Sequence, residues 1–481
     1  MKSSSALRLV ALLACFAALG AWAGCNKKKI NGSQPDLLTT VRVSLSSSGA
    51  EGDRDALNDT LGISNDGRFV TFTSRATNLV SINVNNFANV FYRDNVARTL
   101  TLVSISRTGG AADGPSGTSA MSGDGRYVVF ASFATNLTFD VVPVGKRQIY
   151  VRDMFNQTTT LVSRASGAVG SLIADDNCDN PKISNDGVYV VFETIASNLD
   201  GTPGPGNGDD GDAFKDIYRR KVIDGTSAFP TELVSFASGA SSGALNKGND
   251  DSTTPVISSD GRYVAFASNA TNLVTASADG GPDQNGQTDV FVRDMQTFRT
   301  VRASVERTGV VVPGNLLNGP SKSPSISLDG ELVSFRSTAG TIHIAAQDAS
   351  PNIYVRSWSG TFVTPFTEVL SVHTSGATGG QSCDRPSISG DGSKIAWQSL
   401  SSALINGDSN GVEDVFVRNR SVLETSRQSV QTFGGQLDGQ SAQPAYSADG
   451  RYIVFWSKAT NTVDDDTNGA ADIFLRGPPF R

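Results

Sequence analysis

Histidine is almost missing from this chain of 481 residues, and cysteine, methionine and tryptophan number only four each. The two histidines, His343 and His373, leave little for histidine-based catalysis, and a lone histidine is more often structural than catalytic. Long hydrophobic runs are missing too. The stretch from Leu9 to Leu19 is too short to span a bilayer, and beyond it no amphipathic helical pattern of useful length occurs. Basic charge is scarce, with 40 Lys and Arg against 47 Asp and Glu and a net charge of −7. Phosphate binding needs clustered cations, so nucleic acid is a poor partner for this chain.

The N-terminus reads as a targeting segment. Lys2 and Arg8 precede the short apolar run, and Ala21-Trp22-Ala23-Gly24-Cys25 follows it. Small residues before a cysteine resemble the bacterial lipobox, except that Trp22 stands where leucine is usual. The resemblance implies a signal peptide over 1–24, lipidation of Cys25 and a tether over 25–37. Ala21-Trp22-Ala23 also fits an A-x-A cleavage site that would release a soluble periplasmic or secreted protein. Both readings export the chain. Asn26 is not the aspartate associated with inner-membrane retention, which points the anchored form to the outer membrane.

What the chain has instead is repetition. Ser-x-Asp-Gly recurs seven times, at Asp66, Asp124, Asp186, Asp260, Asp329, Asp391 and Asp449. Around it a longer phrase returns, as in "SGDGRYVVFASFATNL" from Ser122 and "SSDGRYVAFASNATNL" from Ser258. Each copy divides into four strand-like pieces. A short piece precedes the Asp-Gly, a run such as "RYVAFAS" follows it, a third has the form "DVFVRD" (289–294), and a piece such as "TLVS" (160–163) ends the unit. Asp-Gly between the first two runs predicts a two-residue type I′ turn with φ > 0 at both positions. Runs such as "YVVF" are apolar on both faces, so they are covered on both sides. Four-stranded units that must stack face to face predict an all-β, seven-bladed β-propeller over 38–481. The seventh unit ends after its third strand, and an orphan "TTVRVS" (39–44) precedes the first; this N-terminal strand is expected to complete the last blade and close the ring.

The motifs "S-x-D-G-R-Y-V-x-F" and "D-V-F-V-R-D" resemble the WD40-like β-propeller repeats of the TolB type, found in bacterial envelope proteins. The resemblance covers nearly the whole chain beyond the leader and implies fold rather than function. No separate α/β domain precedes the repeats, which departs from TolB itself.

Cys178 and Cys383 each lie eight residues before their Asp-Gly, where other copies hold Asn58, Ser116, Ser252, Ser321 and Ser441. They stand in for serine in units nearly opposite each other, too far apart to bridge, and are expected to be free thiols.

In an antiparallel blade the connections after strands two and four share one face and are the long ones, where binding usually sits. Three loops carry D-x-N-G-x-x-D: Asp283-Asn285-Asp289, Asp408-Asn410-Asp414 and Asp466-Asn468-Asp472, with a degenerate fourth at Asp210-Asp212-Asp216. Alternating oxygens around a glycine suit Ca²⁺; they equally suit an Asn-Gly turn capped by aspartate. Eleven residues before each Asp-Gly stand Asp55, Asp113, Asp175, Asn249, Asn318, Gly380 and Asp438, expected at the channel mouth, where carboxylates attract a cation or basic peptide. A recurring third-strand arginine (Arg93, Arg152, Arg220, Arg293, Arg356, Arg418, Arg476) is expected to pair with a nearby aspartate. The G-x-S-x-G at Gly239–Gly243 and the G-x-G-x-x-G at Gly206–Gly211 lack the helix each motif needs. Two functional readings result. One is a non-enzymatic envelope lipoprotein binding a protein or peptide, touching the membrane only through its lipid. The other is a carbohydrate-active or carbohydrate-binding propeller using loop carboxylates and Ca²⁺.

Overall fold

The second and third runs of each unit bury nearly every side chain rather than alternate ones. Tyr127–Ser132 is buried at every position after the first, and Gln148–Asp153 at all six. Such strands form only where both sheet faces are covered, and a ring of stacked sheets covers them. The computed structural model of the chain describes residues 38–480 apart from 83, 167–171, 200–212, 223–229, 240–245, 275–282, 284, 306–318, 343–349, 359–364 and 380–381. Its strands form seven four-stranded antiparallel sheets. Blade two shows the pattern: inner strand Ser116–Met121, then Tyr127–Ser132, Gln148–Asp153 and outer strand Thr158–Leu161. In blade seven the outer strand is Thr39–Arg42, paired antiparallel to Asp472–Gly477 with Thr39 opposite Gly477. The orphan strand thus closes the seven-bladed propeller.

Each blade interface holds its own apolar core. Between blades two and three, Val129, Ile149 and Val151 pack against Val190, Phe192 and Tyr218. Full burial of one such side chain contributes about 1.5–3 kcal/mol.

The repeated phrase is a set of internal fasteners. Ser122 Oγ donates to Asp124 Oδ1 and accepts from Tyr127 N, while Asp124 Oδ1 also accepts from Arg126 N. Arg126 forks onto Asp153 of the third strand at 2.8 and 3.2 Å and lies over the Tyr127 ring. The turn differs from the type I′ expectation: Gly125 has φ 73°, but none of the Asp-Gly aspartates has positive φ. In every blade the aspartate carboxylate instead accepts from the serine hydroxyl and from the backbone N–H of the residue after the glycine, closing the turn through its side chain. The aromatic after Arg reaches the next blade, where Tyr263 of blade four covers Gly330 of blade five and Tyr452 covers Gly67 of blade one.

The x residues of Ser-x-Asp-Gly join the seven blades. Main-chain bonds of 2.8–3.1 Å run Asn65 N to Gly123 O, Gly123 N to Asn185 O, Asp186 N to Ser259 O, Ser259 N to Leu328 O, Leu328 N to Gly390 O, Gly390 N to Ala448 O and Asp449 N to Asn65 O, a closed circle. A Cβ on Gly123 would lie 2.0 Å from Asn185 Oδ1 and 2.3 Å from Asn65 Nδ2, so those side chains meet across that glycine and narrow the short-turn end of the channel.

Cys178 and Cys383 are free and buried. Cys178 Sγ lies 3.3 Å from Thr194 Oγ1 and Cys383 Sγ 3.5 Å from Ser399 Oγ, the places that Ser116 and Ser132 fill with a 2.8 Å hydrogen bond in blade two. Burial pushes the two thiols up to about 12 and about 11. Thiolate is the reactive form, so the native protein is expected to leave both unlabelled by iodoacetamide. Denaturation without reductant should expose both, as read by peptide mass. A Cys178–Cys383 disulfide peptide would refute this.

Candidate functional site

The D-x-N-G-x-x-D loops each end in a buried aspartate that opens the third strand. Asp289 Oδ1 accepts from Ser304 and Asp289 Oδ2 from Asn285 Nδ2 at 3.0 Å. Arg302 reaches Asp289 at 3.4 Å and Asp283 at 3.5 Å. The second loop repeats this, with Arg427 at 3.2 Å from Asp408 and 3.3 Å from Asp414, and Asn410 Nδ2 on Asp414. In the third, Arg42 lies 3.3 Å from Asp466 and 3.1 Å from Asp472, and Asn468 turns to the Gly52 carbonyl. An arginine therefore sits among the oxygens that a Ca²⁺ ion would need, and a metal there would have to displace it. Among the described residues no three His, Cys, Asp or Glu side chains are grouped to hold a metal ion. Burial pushes the Asp289 and Asp466 carboxyls up to about 6, against the pull of Arg302 and Arg42. Of the degenerate loop, Asp216 meets Lys247 at 3.2 Å, and Asp210 and Asp212 lie outside the described residues.

The sequence carried a signal for these arginines. Two residues before the outer-strand serine stands Arg302, Arg427 or Arg42 where the third strand opens with Asp289, Asp414 or Asp472. Where it opens with Asn89, Gln148 or Asn352, that position is Leu102, Leu161 or Val369. Blade three departs from this: Asp216 opens its third strand with Leu233 at that position, and Lys247 supplies the cation instead.

The residues expected at the channel mouth do something else. Asp438 accepts from Thr460 N and Oγ1, both at 2.8 Å, while its own amide donates to Asn461. Asp113, Asp175 and Asn249 hold Thr135, Ser197 and Thr271 in the same way. They clamp the "ATNL" loops. In blade one the clamp is Asp53 on Thr77, not Asp55, which accepts from Ala471 N. The inner segment of that blade is two residues longer, so Ala56 rather than Asn58 stands opposite Ser74, and counting back from Asp66 misplaces the register. Asn318, Gly380, His343, Cys25, Gly206–Gly211 and 240–243 of the G-x-S-x-G motif lie outside the described residues. His373 Nδ1 is 2.9 Å from Ser375 Oγ inside a turn.

Among the described residues Arg93, Arg220 and Arg476 pair with carbonyls and hydroxyls rather than with aspartate. Arg93 donates to the Leu45 and Ser46 carbonyls, Arg220 to those of Arg164 and Ala165, and Arg476 to Thr40 Oγ1. Neighbouring strand residues point to opposite faces, so Asp94 turns away from Arg93 and takes Arg68 instead.

The channel is walled by the inner strands of all seven blades and encloses about 590 Å³. In six blades the inner strand bulges, between Gly117 and Ala120 in blade two and at the matching places in blades three to seven. Thr118, Asn180, Thr254, Ser323, Arg385 and Gln443 sit in these bulges with φ between 49° and 55°. Left-handed backbone at non-glycine residues costs about 1–3 kcal/mol each and gathers at ligand clamps. Proline follows in five of the six, Pro181, Pro255, Pro324, Pro386 and Pro444, tolerated because the inner strand is a sheet edge. Among these walls one position breaks the repeat: Lys182 of blade three.

No protein-family model and no curated protein matches the sequence. Solved structures share the fold. An oligogalacturonate lyase in complex with manganese is 12% identical, over 93% of this chain and 97% of that one, with a TM-score of 0.50. An oligogalacturonate lyase from Vibrio parahaemolyticus is 11% identical over 89% and 90%, with a TM-score of 0.48. A putative TolB from Agrobacterium tumefaciens is 13% identical over 80% and 96%, with a TM-score of 0.37. At these identities the likeness is one of fold.

Proposed function

We propose that this chain is a non-enzymatic cell-envelope lipoprotein, anchored through Cys25, whose propeller binds a protein or peptide partner by its long-loop face. The observation that carries this reading is one loop of blade two. Phe139, Val141 and Val144 are 90%, 92% and 87% exposed. The loop is pinned beneath them: Arg107 donates to the Thr138 carbonyl at 3.0 Å and lies over the Phe139 ring, and Arg164 pairs with Asp140. Large apolar side chains held out into water on an anchored loop mark an interaction surface. The loop carboxylates and strand arginines, by contrast, are engaged inside the molecule. Thr39 enters its strand opposite Gly477, at the short-turn end. In this reading the long loops are the face turned to the partner and away from the membrane.

A photo-crosslinking residue placed at Phe139 or Val144 in membrane-anchored protein is expected to capture one dominant envelope protein. The pair Phe139→Asp and Val141→Asp should abolish capture with an unchanged melting temperature. Cys25→Ser should move the protein out of the membrane fraction. Absence of any specific adduct from this loop would overturn the partner-binding reading.

A further inference from the structure

The middle of the inner strand is Gly62, Ala120, Val256, Ser325, Ser387 and Ala445 in six blades, and Lys182 in the seventh. Ala120 and Lys182 hold the same register, opposite Val129 and Val191. The Lys182 ammonium has no hydrogen bond or ion pair among the described residues; its electrostatic neighbours are Asp59, which attracts it, and Arg385, which repels it. Asp59 is already engaged, accepting from Thr60 N and Thr118 N at 2.7 Å each. Nearer the mouth, Lys322 and Arg385 line the wall beside Asp384, with no ion pair to either cation among the described residues. Asp384 in turn accepts from Arg385 N and Ser323 Oγ and lies 3.9 Å from Arg336. Three cations thus face two carboxylates that are both committed to the wall. Burial holds Lys182 below the ordinary lysine range, with Arg385 adding to the effect and Asp59 opposing it. Below it the wall turns apolar, with Ile183, Ile257, Ile326 and Tyr446, above the short-turn end narrowed by Asn65 and Asn185.

We propose that the channel is a binding cup for a single carboxylate carried on an apolar body, the carboxylate held between Lys182 and Arg385 and the apolar part seated on the isoleucine wall. The surplus of positive charge suits an anionic group. A phosphate or sulfate dianion would bring excess charge toward Asp59 and Asp384. The site stands independently of the partner-binding loop on blade two. The carboxylate has two possible sources, a free small acid or the C-terminus of a peptide.

Calorimetric titration of the full chain tests this with four probes: hexanoate, hexanamide, the peptide acetyl-Ala-Ala-Ala-Leu with a free C-terminus, and the same peptide amidated. Sulfate serves as the dianion control. At least one acid is expected to bind at least tenfold more tightly than its amide, and more tightly than sulfate. Hexanoate alone assigns a free small acid, and the peptide acid alone assigns a chain end. Lys182→Met keeps the length of the side chain and should weaken the acid at least tenfold without lowering the melting temperature; Arg385→Gln, at the exposed mouth, gives a second reading if Lys182→Met does not fold. Equal binding of acids and amides, no binding of either acid, preference for sulfate, or full affinity in the charge-removing variants overturns the proposal.

Discussion

Alanine at Gly330 is expected to destabilise the propeller by about 2–5 kcal/mol, while alanine at Gly450, the equivalent position two blades on, costs only about 1–2 kcal/mol. Both glycines have positive φ, 77° and 66°, so both substitutions incur the left-handed strain of a Cβ. Only Gly330 adds a collision. Its Cβ would lie 2.2 Å from Tyr263 Cδ2 and 2.8 Å from Cγ. That ring cannot swing aside, because Trp358 stands against it edge-on at 5.2 Å and donates its own indole N–H to the Gly330 carbonyl, while Arg262 covers it at 4.6 Å. At Gly450 the preceding blade carries Lys394 instead of an aromatic, and the new Cβ meets nothing nearer than 3.6 Å. Urea unfolding of the two variants checks the difference. Equal losses would mean that the ring-on-glycine contact contributes nothing to holding neighbouring blades together.

Arg42→Met should cost about 3–5 kcal/mol at pH 7.5, because removing one partner of a buried ion cluster leaves the other charges uncompensated. The Arg42, Asp466 and Asp472 side chains are 2%, 1% and 4% exposed. The loss also has a pH signature. Burial holds the Asp466 carboxyl at about 6 and raises that of Asp472 even with Arg42 present. A carboxyl raised above its unfolded value of about 3.9 favours the folded state when protonated. That stabilisation is complete below about pH 4 and is lost as the pH rises through 6. The gap between variant and parent should therefore shrink on going from pH 7.5 to pH 4.5, measured by chemical unfolding at each pH. A gap independent of pH would show that Arg42 acts through packing rather than charge.

The repeat made the blade count, the closing strand and the two serine-like cysteines legible, because each rests on positions that recur around the ring. Counting failed where one copy departs from the others. Asp55 falls among the residues expected at the channel mouth only because two extra residues in the first inner segment shift Asp53, its structural counterpart, out of phase. The expected pairing of the third-strand arginines with a nearby aspartate fails for a different reason, since adjacency along a strand, as for Arg93 and Asp94, separates side chains onto opposite faces. Lys182 shows the converse limit. A residue present once among seven copies looks like drift in the sequence, and only the ring, which brings seven inner strands around one space, shows that it stands alone in a channel. The partners of the acidic loops were readable in principle, since Arg302, Arg427 and Arg42 accompany Asp289, Asp414 and Asp472 and are replaced by Leu or Val elsewhere.

The pairing of Thr39 with Gly477 joins residues 438 positions apart. A ribosome makes the first of these strands long before the last, so the circle cannot shut until Thr39–Arg42 meets Asp472–Gly477. Contacts this distant along the chain slow folding, since loop closure must precede any gain from pairing. Until then blade seven lacks its outer strand, and the bare edge of Asp472–Gly477 is a template for any stray strand. A chain that stops short before Asp472 gives not a smaller propeller but an open arc with two adhesive ends. Placing the seam between the first and last strands thus makes synthesis of Asp472–Gly477 the condition for a ring without bare edges.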